Sequence, residues 1–176
     1  MSRFFPHPPY AEDQPLHHTI LTAHVLYRGF QAGSSVGLLY GATKTAYRQG
    51  VRSAVGTSTG LAAITRSVGY GSAVGTALMM VMLPLRMRGR EEIEWRDRSW
   101  RLLENEGQVL VDDFSGVGAL AGLGSMAVRN SAALGPLGWR EALGRAGLGS
   151  LAGVVAYLVY TGTRPKGETK LDVATV

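Results

Sequence analysis

Apolar residues gather into four stretches along this chain, separated by runs rich in charge, proline or both. The first lies between Arg28 and the pair Lys44 and Arg48. Residues 29–47 make about 28 Å of helix at 1.5 Å per residue, close to a hydrocarbon thickness of about 30 Å. The residues from Ile20 to Tyr27 extend this helix outward or lie along an interface. The second stretch, 53–85, would measure about 50 Å as one helix, too long for an upright span. Arg66 divides it, leaving residues 67–85 to cross and 53–65 either as surface helix or as a tilted continuation. Arg66 itself is either an interfacial anchor or a buried charge paired across helices. Pro84 is expected to close the helix.

The third stretch follows Asp112 and Asp113. Residues 114–128 are few, so 109–111 join them in a span of 109–128, or the bilayer thins locally. The paired aspartates fit a helix start, where they can cap amide groups and face the positive end of the dipole. The fourth stretch, 146–163 between Arg145 and Arg164, is about 27 Å long as a helix.

The small residues recur with a fixed period. Gly29, Gly33, Gly37 and Gly41 fall every fourth residue, along one helix face that drifts slowly because four residues slightly overshoot one turn. Four interior glycines would cost a soluble helix about 2–4 kcal/mol relative to alanine. In lipid a glycine face instead lets a second helix approach closely. Ser67, Gly71 and Gly75 repeat the spacing in the second stretch, Gly118 and Gly122 in the third, Gly149 and Gly153 in the fourth. The predicted fold is therefore an all-α membrane domain of four transmembrane helices, packed through these glycine faces. Because every span carries such a face, the expected partner of each is another helix of the same chain.

The intervening segments are of different kinds. Residues 1–18 hold four prolines and no helical period, and read as an extended arm. They match neither a secretory signal nor an Arg-rich presequence. Residues 86–107 form a charged loop carrying six arginines and six acids. Within it, the spacings Glu92 to Arg96 and Glu94 to Arg98 predict a short soluble helix with i to i+4 ion pairs, and Trp95 and Trp100 suit an interface. Residues 164–176 read as a polar tail. The membrane domain thus covers 19–163.

Mean hydropathy of only +0.06 pools the apolar runs with these segments, and 24 glycines lower the runs themselves. The chain has no cysteine, which removes disulfides, thiolate metal ligation and thiol nucleophiles. His7, His17, His18 and His24 stand near the first stretch with no carboxylate cluster at ligand spacing, so they read as polar interfacial residues, and no metal site is expected. Phosphate loops and nucleophile elbows are missing as well, so no catalytic residue, cofactor site or small-molecule substrate is expected. A net charge of +5 without a basic helix of interleaved aromatics favours anionic lipid over nucleic acid. Lys44, Arg48, Arg52, Arg140 and Arg145 lie where acidic head groups such as cardiolipin would sit, or act simply as topology determinants. The loops 44–66 and 129–145 together carry net +6, which places them in the matrix or cytoplasm, although lysines and arginines alone number ten on the opposite side against seven here.

Three runs, GFQAGSSVGLLYGATKTAYR (Gly29 to Arg48), GYGSAVGTAL (Gly69 to Leu78) and DDFSGVGALAGLGSMAVR (Asp112 to Arg129), carry a resemblance. Over residues 20–162 the layout resembles the four-helix inner-membrane translocase superfamily, and within it the accessory membrane-arm subunit of mitochondrial respiratory complex I. That superfamily usually places an asparagine shortly after the acidic pair of the third span. Phe114, Ser115 and Gly116 stand here instead, a departure from the translocase signature. The resemblance implies the mitochondrial inner membrane, termini toward the intermembrane space and a non-catalytic scaffold role among the other membrane-arm subunits. Its alternative is a channel-like or scaffold subunit of an inner-membrane protein translocase.

Overall fold

The computed structural model describes residues 2–49, 58–127 and 138–163. Within them are five α-helices, two short 3-10 turns (Ser2–Phe4 and Ala11–Asp13) and no strand. We number the helices α1 (His17–Gln49), α2 (Ser58–Met87), α3 (Glu92–Glu104), α4 (Glu106–Ala127) and α5 (Gly138–Thr163). The four long helices pack as α1 on α2, α2 on α5 and α5 on α4, with a smaller α1–α5 contact. The short helix α3 crosses the end where α1 begins and α2 finishes, and the N-terminal arm lies against it.

The helices run beyond the expected spans. Residues 20–27 extend α1 outward, and α2 is continuous from Ser58, so Arg66 sits exposed on an unbroken helix. Pro84 does not close α2. It lies inside the last turn, and the helix continues to Met87 before Gly89, at φ +74°, turns the chain. A left-handed residue of this kind suits glycine and terminates a helix. The aspartates of the third stretch are not caps either. α4 begins six residues before Asp112, and Asn105 serves as its cap: Gln108 N donates to Asn105 Oδ1 at 3.0 Å and Val109 N to Asn105 O at 3.0 Å.

α3 confirms the short helix in the charged loop, but its ion pairs are rearranged. Glu94 accepts from Arg90 (3.0 Å) and from the Glu91 backbone N–H (3.2 Å), closing the helix start. Arg96 donates to the Glu12 carbonyl at 2.7 Å, and Glu92 meets His17 and His18. The arm and α1 thus recruit side chains that spacing within α3 had paired with each other.

Polarity in the long helices is the reverse of a water-soluble domain. Ser34, Ser72, Ser115 and Ser150 are fully buried between helices, while Leu39, Val117, Leu120 and Val159 are 60–70% exposed on the outside. Three helices, α2, α4 and α5, are long and apolar enough to cross a membrane. α1 is the longest, yet its glycines, hydroxyls, Gln31 and Arg28 keep it out of that set. Large apolar residues are buried together mainly at the α3 end, where Leu21, Leu83 and Met87 pack with Val25, Trp95 and Leu102.

Candidate functional site

The glycine faces bring helix backbones into direct contact. On α1 and α2 the contacts are reciprocal. A Cβ built on Gly33 would fall closer than 3.0 Å to the Gly71 carbonyl oxygen, and one on Gly71 equally close to that of Gly33. Gly29 and Gly75 stand in the same relation, and Gly37 abuts the Ser67 carbonyl. Gly41 meets mainly the Ser67 side chain, with Cβ at 2.8 Å. On α4 and α5, Gly118 and Gly149 oppose each other, Gly122 lies on the Arg145 carbonyl and Gly153 on that of Phe114. All ten expected packing glycines therefore face helices of the same chain.

A third interface was not singled out by its spacing. α2 and α5 cross where Gly69 meets the Arg140 carbonyl and Gly144 the Thr65 carbonyl. Its signal was present as small residues four apart, Thr65 with Gly69, on a face that α1 does not use.

Above these contacts, a polar junction joins α1, α4 and α5. Arg28 Nη2 binds Asp112 Oδ1 at 2.5 Å, while Arg28 Nη1 donates to Gln31 Oε1. Gln31 Nε2 donates to Ser150 Oγ (3.1 Å), and Tyr27 donates its hydroxyl to Ser115 Oγ (3.0 Å). Because the Tyr27 proton is committed there, the 3.1 Å contact between Tyr27 and Ser150 is donated by Ser150. Ser115 Oγ in turn donates to the Asp112 carbonyl at 3.3 Å. The hydrogen bonds form a closed circuit from Arg28 around to Asp112, and each donor strengthens the next in a low-dielectric setting. Asp112, 3% exposed, also accepts from Gln108 Nε2 at 3.2 Å. Arg28 is thus a partnered charge, not a bare interfacial anchor. A cavity of about 20 Å³ beside it is lined by Phe5, His24, Tyr27 and Asp112. Ser34 and Ser72 add a hydroxyl pair across α1 and α2 at 2.8 Å.

The basic residues at the opposite end differ among themselves. Lys44 is exposed, with its ammonium 5.2 Å from the Tyr40 ring centroid, and Arg48 is exposed in the last turn of α1. Arg140 packs over Trp139 at 5.3 Å. Arg145 is engaged by Glu141 at 2.8 Å and by Ser125 Oγ at 3.0 Å, so it ties α5 to α4. Arg52 lies outside the described residues, as do residues 128–137 and the tail 164–176.

The arm folds back instead of extending freely. Trp100 Nε1 donates to the Pro8 carbonyl at 2.9 Å, His7 stacks on Trp100 at 5.4 Å, and Arg3 pairs with Asp113 at 2.5 Å. At the far end of α3, Glu92 lies 2.5 Å from His17 Nε2 and 3.2 Å from His18 Nε2. Desolvation pushes the Glu92 carboxyl upward, but the hydrogen bonds and charge of His17 and His18 together hold it below its usual range.

Residues 12–161 match the family described as a protein of unknown function, DUF1757. The chain belongs to this family. The match takes in α1 to α4 and α5 as far as residue 161, and leaves out the outer arm and the tail. No curated protein matches the chain.

Proposed function

We propose that this member of the DUF1757 family is a non-catalytic accessory subunit of the membrane arm of NADH:ubiquinone oxidoreductase, respiratory complex I, in the mitochondrial inner membrane. In this reading α1, α2, α4 and α5 all cross the bilayer, both termini lie toward the intermembrane space, and the helix ends carrying Lys44, Arg48, Arg140 and Arg145 lie toward the matrix. The subunit bridges core subunits and bound lipid such as cardiolipin, and so stabilises and helps assemble the arm.

The observation that carries a membrane scaffold is the inverted packing: glycines and serines inside, valines and leucines outside. A bilayer removes the penalty for such an exterior and supplies no alternative partner for the backbone groups held at the glycine faces. α1 supports the four-span reading through its contact with α2, which runs from Gly29 to Gly41. With α2 in the bilayer, α1 cannot leave it without separating that face. The resemblance to the complex I subunit supplies the identity of the host complex.

A translocase channel would need a polar groove open to water on the face of Arg28, Gln31, Ser34 and Ser35. Gln31 and Ser34 are instead buried and bonded to other helices, which favours the scaffold.

The test is a mild-detergent native gel of mitochondrial membranes. The protein is expected to comigrate with NADH dehydrogenase activity, and its depletion to affect precursor import only secondarily. Its recovery wholly in another complex would exclude the proposal.

A further inference from the structure

The ring of His17 is held from two sides. Its Nδ1 lies 3.0 Å from the carbonyl oxygen of Gln14. A carbonyl only accepts, so Nδ1 carries the hydrogen. In the neutral ring Nε2 then presents a lone pair, and it faces Glu92 Oε1, a second acceptor, at 2.5 Å. His18 Nε2 stands 3.2 Å from the other carboxylate oxygen, and ligand atoms of all three residues lie within 4.8 Å of one another. Two acceptors this close need a hydrogen or a metal ion between them.

We propose that His17, His18 and Glu92 bind one divalent transition-metal ion, with Zn²⁺ the best fit to the donor set. Two imidazole nitrogens and one carboxylate oxygen, with a fourth position open to solvent, match tetrahedral zinc coordination. The bond from His17 Nδ1 to a carbonyl is the outer contact that fixes tautomer and ring orientation in metal-bound histidines. That carbonyl is itself immobilised: Gln14 is 1% exposed, and its amide donates to the Pro6 and Pro15 carbonyls at 2.9 and 3.0 Å. Trp95 walls the site, its ring centroid 4.4 Å from that of His18. The side chains of His18 and Glu92 are 55% and 54% exposed, so an ion enters directly from water. Metal bonds of about 2.1 Å would set neighbouring ligand atoms ~3.4 Å apart in a tetrahedron. The His18–Glu92 separation of 3.2 Å is close to this, whereas His17 faces the other carboxylate oxygen at 2.5 Å, so Glu92 turns on binding to present one oxygen to both rings. The bound ion would join the first turn of α1 to the first turn of α3, fastening the extramembrane helix across the end of the bundle.

The full-length, tag-free protein in detergent, stripped with chelator and titrated with Zn²⁺ near pH 7.5, tests the site. One zinc per chain is expected after desalting. Co²⁺ in its place should give the visible absorption of a low-symmetry nitrogen and oxygen site. Glu92→Gln is expected to weaken zinc binding about tenfold or more, and so is His18→Ala, whose side chain is exposed and whose loss should leave the helical circular dichroism unchanged. Failure of the parent protein to retain zinc, or undiminished binding in a folded His18→Ala or Glu92→Gln variant, would overturn the proposal and leave a hydrogen-bonded His17–Glu92 pair in its place.

Discussion

Gly33 and Gly71 lie backbone against backbone, each occupying the space that a Cβ on the other would need. The obstacle on both sides is a carbonyl oxygen, which cannot rotate away as the end of a flexible side chain could. Gly37 adds a similar contact one turn further along, against Ser67 O and Val68 Cα. Gly37→Leu, Gly33→Leu and Gly71→Leu are therefore expected to push α1 off α2, costing about 1–3 kcal/mol or more through overpacking. Unfolding by SDS titration in mixed micelles measures this. A Gly37→Leu protein that stayed folded but lost its copurifying partners would make this face intermolecular.

Neighbouring glycines should not behave alike. A Cβ on Gly118 would strike the Gly149 carbonyl, whereas one on Gly116 meets nothing within 4 Å. Gly118→Ala should destabilise the α4–α5 pair by about 1–3 kcal/mol. Gly116→Ala should be neutral or stabilising by up to about 1 kcal/mol, the helix propensity gained. Paired midpoints in the same SDS assay decide it, and equal effects would contradict the interface.

This pair also marks what could be read from the sequence. Spacing by four picked out ten glycines that lie against other helices, because a helix face is a local property of the chain. Which face meets which is not local: the α2–α5 contact through Gly69 and Gly144 depends on how three helices share one neighbour. Asp112 was misplaced for the same reason. Its position beside an apolar run suggested a helix start, but its partner Arg28 lies 84 residues away, and Asn105 had already capped the helix. Glu92 was given to Arg96 by i to i+4 spacing, whereas its partners His17 and His18 come from the first turn of α1.

Removing one member of the Arg28–Asp112 pair leaves the other buried without its main counter-charge. Arg28→Met and Asp112→Leu are each expected to cost about 3 kcal/mol, near the lower end for broken buried pairs because the Arg28 side chain keeps 30% exposure. The double variant should recover most of that loss, since both desolvation costs vanish together. A double-mutant cycle by SDS unfolding measures the coupling, and strictly additive losses would remove the pair from the account of bundle stability.

The arm is held to α3 by few bonds, so each should be visible. Trp100→Phe keeps an aromatic ring for His7 but deletes the donor to the Pro8 carbonyl. The expected cost is about 1 kcal/mol, confined to the arm. Limited proteolysis should cut residues 2–16 about fivefold faster, with no change in the unfolding midpoint of the four long helices. Unchanged arm cleavage would show that the arm is held without this hydrogen bond, by the His7 stacking and by contacts such as Arg96 to the Glu12 carbonyl.

Cations at the opposite end divide by their existing partners. Lys44 and Arg48 are exposed on the last turns of α1, Lys44 touching only the Tyr40 side chain of its own helix face among the described residues, and both can meet an acidic head group. Each should contribute about 1 kcal/mol to binding an anionic lipid surface. Lys44→Ala with Arg48→Ala is then expected to weaken cardiolipin retention about thirtyfold. Arg145 is already shared between Glu141 and Ser125, with its side chain 20% exposed. Arg145→Ala should leave lipid affinity nearly unchanged and instead loosen α4 from α5 by about 1 kcal/mol. Cardiolipin titration followed by native mass spectrometry, beside SDS unfolding of the same proteins, separates the two effects. A large lipid loss in Arg145→Ala alone would reverse the assignment, placing the head group at the α4–α5 end and reducing Lys44 and Arg48 to determinants of topology.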